Sequence, residues 1–173
     1  MSIQPNVLVI LTDQQNQQAV SAYGNSYLHT PCMDALVHGG LSFENSYCTA
    51  PVCSPSRSSL ITGLMPHQTG VEINGPSIKP EVTTLGDVFR QGGYQSFYTG
   101  KWRLGDRRGF NFLGDEYPEG IPRQYGTNTD PIWTDQAVDF LYGFKQRDLS
   151  SDQPFLLYVS LHNPHDILSL IHI

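Results

Sequence analysis

The sequence predicts an α/β fold with a largely parallel central sheet flanked by helices. Three observations carry that expectation. Two apolar runs of strand length, residues 6–12 (NVLVILT) and 155–161 (FLLYVSL), are continuous and do not alternate, the pattern of strands covered on both faces. Segments with helical start and stop signals lie between the expected strands. Asp13, Lys101 and the pair His162/His165 each fall just after an expected strand, where α/β sheets bind their ligands.

Each element has its own reason. Strand 6–12 ends at Asp13-Gln14-Gln15. Thr30-Pro31 supplies an N-cap residue and a proline suited to the first helical position, and Gly39-Gly40 closes that helix. Residues 41–47 alternate loosely and read as a strand. Residues 55–62 read as a helix entered through Pro55. Thr84 opens a second amphipathic helix over 84–90, stopped by Gly92-Gly93. Residues 94–99 form the strand before Gly100-Lys101-Trp102. A loop rich in Gly, Pro and Asn is expected over about 104–131. Residues 133–147 have helical spacing, with Ala137, Phe140, Leu141 and Phe144 on one face. The chain holds no repeats and no low-complexity segment.

Composition narrows the function classes. The chain has 173 residues, enough for one ordinary domain, and a formal net charge of −6. No basic stripe is present, which argues against nucleic acid as a partner. An anionic ligand must then be held by a few local cations. Residues 1–6 carry no positive n-region and lead straight into a strand, so no signal peptide is expected. No apolar run reaches membrane-spanning length, so no membrane partner is expected. The three cysteines, Cys32, Cys48 and Cys53, make an odd count; a reducing, cytoplasmic location is expected and a disulfide framework is not. Cys48 and Cys53 have a spacing compatible with zinc, but no second ligand pair follows.

Residues 53–63 (CSPSRSSLITG) are the richest stretch. They join a nucleophile, a rigid turn and a fixed cation at one helix start. Cys53 is expected near the positive end of that helix, and Arg57 one turn further on can point back to the same space. Such a group suits the binding and attack of an anionic ester. The plainer alternative for an isolated Cys53 is a small buried thiol.

The run resembles the sulfatase signature Cys-x-Pro-Ser-Arg-x-x-Leu-x-Thr-Gly, matched here at every fixed position. The resemblance covers residues 5 to about 167 and implies the alkaline-phosphatase-like α/β fold, present here in its N-terminal portion and so truncated. It also implies that Cys53 is oxidised by a maturation enzyme to formylglycine, one oxygen of whose hydrate attacks sulfur while the other later expels sulfate. The family carries two adjacent metal-binding acids after the first strand. Here the pair is Asp13-Gln14, and a glutamine carbonyl can coordinate Ca²⁺ with one less negative charge; a strand-end turn is the other reading of Asp13. Gly100-Lys101-Trp102-Arg103-Leu104-Gly105 resembles the family's Gly-Lys-Trp-His-Leu-Gly segment, with Arg103 in place of the histidine. Arginine keeps a permanent charge but does not exchange protons near neutral pH. Pro164-His165 resembles the pair whose histidine protonates the leaving oxygen. His162 is the reserve, and a structural histidine is expected for one of the two. His29, His38 and His67 have weaker claims. The family's later metal-binding pair has no counterpart up to residue 173.

The expected function is therefore metal-dependent hydrolysis of a small-molecule sulfate ester. Cys53, Arg57, Lys101, Arg103 and His165 would be its catalytic residues, and Asp13, Gln14 and the converted Cys53 would hold Ca²⁺ or another divalent cation. A phosphodiester or phosphonate monoester hydrolase with the same parts is the nearest rival, and a non-catalytic truncated remnant is the rival from another class. Residues 1–167 read as the N-terminal portion of a sulfatase catalytic domain. Residues 168–173 (LSLIHI) back-translate to CTG TCT CTT ATA CAC ATC, which resembles a transposon-end sequencing adaptor, so a non-native tail is expected there; a short apolar strand is the alternative.

Overall fold

In the computed structural model, residues 4–116, 126–146 and 153–166 are described. The expected tail at 168–173 lies outside them. The elements are strands β1 (Val7–Asp13), β2 (Gln95–Gly100), β3 (Asn111–Phe112) and β4 (Phe155–Pro164), and helices α1 (Pro31–Gly39), α2 (Cys53–Thr62), α3 (Pro66–Thr69), α4 (Leu85–Gln91) and α5 (Gly126–Gln146). Two 3₁₀ turns, Gln17–Ala19 and Ser21–Tyr23, separate β1 from α1. No helix among the described residues is long and apolar enough to cross a membrane.

The sheet is parallel throughout, in the order β1-β4-β2-β3. The last described strand in sequence therefore lies inside the sheet, which explains its continuous apolar run: all residues from Phe155 to Ser160 are buried. Its alternate residues feed two cores. On one face Leu156 and Tyr158 pack with Tyr98, Ile61, Val71, Trp102 and Leu104. Tyr98 and Tyr158, partners in register, stack with ring centroids 5.1 Å apart. On the other face Phe155, Leu157 and Val159 meet Ala137 of α5, with Phe97, Phe140 and Phe144 around them. Thr84 caps α4 as expected: its hydroxyl accepts the Asp87 N–H at 3.3 Å while the Asp87 carboxylate accepts the Thr84 N–H at 2.9 Å.

Several expectations are corrected. β1 was expected to be covered on both faces, but only Val7, Val9 and Leu11 pack on a core. Leu8 and Ile10 are 45% and 57% exposed. They pair in register with Leu157 and Val159 and so face the side of α5, which packs over β4 and β2 and stops short of β1. Residues 41–47 form no strand; Leu41, Phe43 and Tyr47 are exposed. A strand without a hydrogen-bonded neighbour leaves its backbone groups to water, and this segment pairs with none of the described strands. α2 begins at Cys53, two residues before the expected start, so Cys53 belongs to the first turn itself. α5 begins at Gly126, within the expected loop, and carries Pro131 six positions in; Gly, Asn and Pro masked its start. β3 also forms inside that loop, and residues 117–125 lie outside the described ones.

Gly100 shows how the sheet delivers the site. It ends β2 with φ +99°, and a Cβ there would stand 1.9 Å from the Ser160 carbonyl oxygen. The chain can turn against β4 only because no side chain intervenes. Gly100→Ala is expected to destabilise the fold by at least about 2 kcal/mol, since a disfavoured φ and a backbone clash coincide. Chemical denaturation of the two proteins checks this.

Candidate active site

The site lies where the carboxyl ends of β1, β2 and β4 meet the start of α2. Asp13 is the last residue of β1, Lys101 follows β2, and His165 follows β4. The register places Asp13 opposite Pro164, so Asp13 and His165 come from adjacent strand ends. An open cleft of about 660 Å³ is lined by Asp13, Gln14, Cys53, Arg57 and His165, with Cys48, Ser56 and Leu60 among its other walls. Five residues singled out in the sequence thus share one space.

Arg57 is only 4% exposed. One terminal nitrogen donates to the Lys101 carbonyl at 2.8 Å and to the Ser160 hydroxyl at 2.6 Å; the other reaches Asp13 at 3.3 Å. Lys101 is fully buried and its ammonium makes a short hydrogen bond to the same Asp13 oxygen. The Tyr98 hydroxyl donates to the Lys101 carbonyl at 2.6 Å, holding the turn that carries the lysine. A solvated surface role for Lys101 is thereby excluded. Burial acts to raise the Asp13 carboxyl, but Lys101 by hydrogen bond and charge, then Arg57 and His165, outweigh it and leave it below its ordinary value. Asp13 therefore stays ionised across the neutral range. Two cations against one carboxylate give the base of the cleft a positive balance although the chain is acidic overall.

Arg103 is placed differently. It is exposed, does not line the cleft, and has φ +58°. Its backbone N–H donates to Glu116 at 3.2 Å and its carbonyl accepts the Ser54 hydroxyl at 2.6 Å. Gln14 has φ +61°. A left-handed backbone at a non-glycine residue is uncommon and concentrates at functional sites. Gln14 and Arg103 belong to the two segments expected to bind metal and anion.

The two histidines separate. His162, expected just after the strand, lies inside β4 and is 1% exposed. Its Nδ1 is 3.1 Å from the Thr129 hydroxyl and its ring packs on Trp133 at 4.8 Å. Its backbone N–H donates to Asp130 at 2.7 Å. It is the structural histidine. His165 lines the cleft, with Nδ1 2.9 Å from Asp166. His29, His38 and His67 do not line it. Cys32, Cys48 and Cys53 are free. The sequence reading missed Ser160, Tyr98 and Ser54, which hold the site from beneath. Ser160 alone had a visible signal, a polar residue in an apolar run.

The family model Sulfatase matches residues 5–170. This chain belongs to the sulfatase family. It is 29% identical to N-acetylglucosamine-6-O-sulfatase of Bacteroides thetaiotaomicron over 93% of its own length and 31% of that protein's. A solved structure of a protein in complex with its substrate D-glucosamine-2-N,6-O-disulfate superposes with a TM-score of 0.76 at 30% identity, covering 93% of this chain and 35% of the other. The phosphonate monoester hydrolase of Agrobacterium radiobacter shares the fold, with a TM-score of 0.73 at 23% identity over 94% of this chain and 41% of its own. This sulfatase chain thus spans about a third of the length of its curated relatives. The alkaline-phosphatase-like α/β class expected from the sequence is the class found.

His162 gives the sulfatase segment a pH dependence. Burial, with the nearby charges of Lys101, Arg103 and Arg57, outweighs Asp166 and lowers its imidazole to about 4. The unfolded imidazole titrates near 6.5. This contribution to stability is complete above about pH 6.5 and is lost as pH falls toward 4, because only the unfolded chain takes the proton. His162→Gln should flatten the decline by roughly 2 kcal/mol between pH 7.5 and 4.5. Denaturant melts of the parent protein and the variant at both pH values check it.

Proposed function

We propose that the protein carrying this segment hydrolyses a sulfate ester of a sugar. The observation that carries the reading is the convergence of Cys53, Asp13, Gln14, Arg57 and His165 on one cleft above buried Lys101. The sugar class follows from the sulfated amino sugar bound by the similar structure. In this reading Cys53 is converted to formylglycine by a maturation enzyme, and its hydrate supplies the attacking oxygen.

The donor chemistry fits a hard cation in part. Asp13 and Gln14 offer one carboxylate and one amide oxygen at the cleft wall. Hard cations such as Ca²⁺ take oxygen ligands, so a thiol at position 53 is a poor donor and a converted Cys53 a suitable one. A divalent cation held there would supply Lewis acidity toward the ester oxygens. The described residues contain no group of three or more His, Cys, Asp or Glu able to hold a metal. Ca²⁺ typically takes about 6–8 oxygens, so residues 1–173 by themselves should show little turnover.

The chain's own residues do the remaining work. Arg57, locked by Ser160 and the Lys101 carbonyl, fixes the start of α2 against Asp13. Lys101 and Arg57 present positive charge where an anionic ester enters. His165, paired with Asp166 and facing the cleft, donates the proton to the leaving oxygen. Arg103, exposed on the turn after Lys101 and outside the cleft wall, takes no direct part in this reading. Gln14, where the family has a second acid, keeps a phosphodiester or phosphonate monoester as the second reading.

Three outcomes test these roles in the full-length protein made with a maturation enzyme. Peptide mass spectrometry should find formylglycine at position 53, and Cys53→Ala should abolish turnover; full activity with an unmodified thiol contradicts the reading. His165→Ala should cost about 10²–10⁴-fold on sugar sulfates but far less on activated aryl sulfates, because a general acid matters most for a basic leaving oxygen. A higher kcat/KM for sulfate esters than for matched phosphate and phosphonate esters separates the two readings; the reverse ranking selects the second.

A further inference from the structure

Helix α2 starts without a cap of its own. Val52, at the capping position, is extended and makes no side-chain cap. The first amides of a helix have no partner within it. Pro55 has no N–H, and the Ser56 N–H already reaches the Val52 carbonyl at 3.0 Å. The Ser54 N–H is met from outside the helix: it donates to Asn74 Oδ1 at 3.0 Å, from a segment 20 residues away. The side chain of the same serine, 1% exposed, donates to the Arg103 carbonyl at 2.6 Å. The residue next to Cys53 is therefore held on two sides, by the loop after α3 and by the turn after Lys101. Asn74 itself is exposed and does not line the cleft.

We propose that Asn74 is a positioning residue for position 53. Its amide oxygen caps the first turn of α2 from a distant loop and, through Ser54, fixes residue 53 relative to the 101–103 turn. Gly75, at φ +120°, supplies the turn directly after Asn74 that a side-chain-bearing residue would resist. The proposal rests on the sulfatase reading, in which position 53 carries the attacking oxygen. Small errors in the placement of a reacting group are costly: a displacement of about 1 Å can lower a rate about 10²-fold. Capping oxygens are supplied equally well by Asp, which also suits the positive end of a helix. An aspartate at position 74 therefore preserves the cap.

The test uses Asn74→Ala and Asn74→Asp in the full-length protein, with two readouts. Hydrogen exchange in a peptide covering residues 53–57 should become about fivefold faster in Asn74→Ala, the loss of one capping bond, and return to the parent rate in Asn74→Asp. In steady-state assays with a sulfate ester, Asn74→Ala should lower kcat about 10- to 100-fold with KM within about threefold, and Asn74→Asp should restore most of kcat. Unchanged exchange in Asn74→Ala overturns the capping role. Faster exchange with unchanged kcat, or no recovery in Asn74→Asp, overturns the positioning role. If the parent protein turns over no sulfate ester, the proposed function fails instead, and the exchange readout still decides the cap.

Discussion

The guanidinium of Arg57 is the tie on which the site depends. It leaves α2, enters the space between strand ends, and meets Asp13 of β1, the Lys101 carbonyl beyond β2 and Ser160 of β4. A planar cation with several fixed donors can serve three acceptors at once, which an ammonium cannot do with the same geometry. Burying it without those acceptors would be strongly unfavourable. The pairing therefore acts in both directions: the strands fix the arginine, and the arginine fixes the start of α2 over them. Cys53 stands one helical turn from Arg57, so its place is set by the same tie.

The cleft gathers positive charge in an acidic chain. Lys101 and Arg57 both lean on Asp13, and the carboxylate balances only one of them. Their burial matters more than their number, because water screens such charges poorly in the interior. The same cations help to keep His162 neutral in the adjacent core. Two histidines three residues apart thus hold different environments: one is enclosed among Thr129, Asp130 and Trp133, and the other opens on the cleft beside Asp166.

Much of this was legible in the sequence. The apolar runs gave β1 and β4, and their ends gave Asp13 and His165. Thr84 with Asp87 and the glycines after them gave α4. The Cys-x-Pro-x-Arg spacing brought Cys53 and Arg57 to one helix start. Errors arose where local pattern and tertiary pairing disagree. Residues 41–47 look like a strand yet pair with none of the described strands. The first six residues of α5 look like a loop, but the helix runs through them and places Asp130 at the backbone of His162.

The sequence by itself determined the parallel α/β class, the strand ends that carry the chemistry, and the family signature at 53–63. These follow from local periodicity, proline and glycine punctuation and fixed spacing, which need no distant partner. Only the tertiary structure decided that Lys101 is buried, that His162 is structural while His165 faces the cleft, and that Ser54 is gripped by Asn74 and Arg103. Those facts depend on groups 20 to 88 residues apart. Burial and hydrogen bonding between such groups exist only once the sheet has brought β1, β4 and β2 side by side.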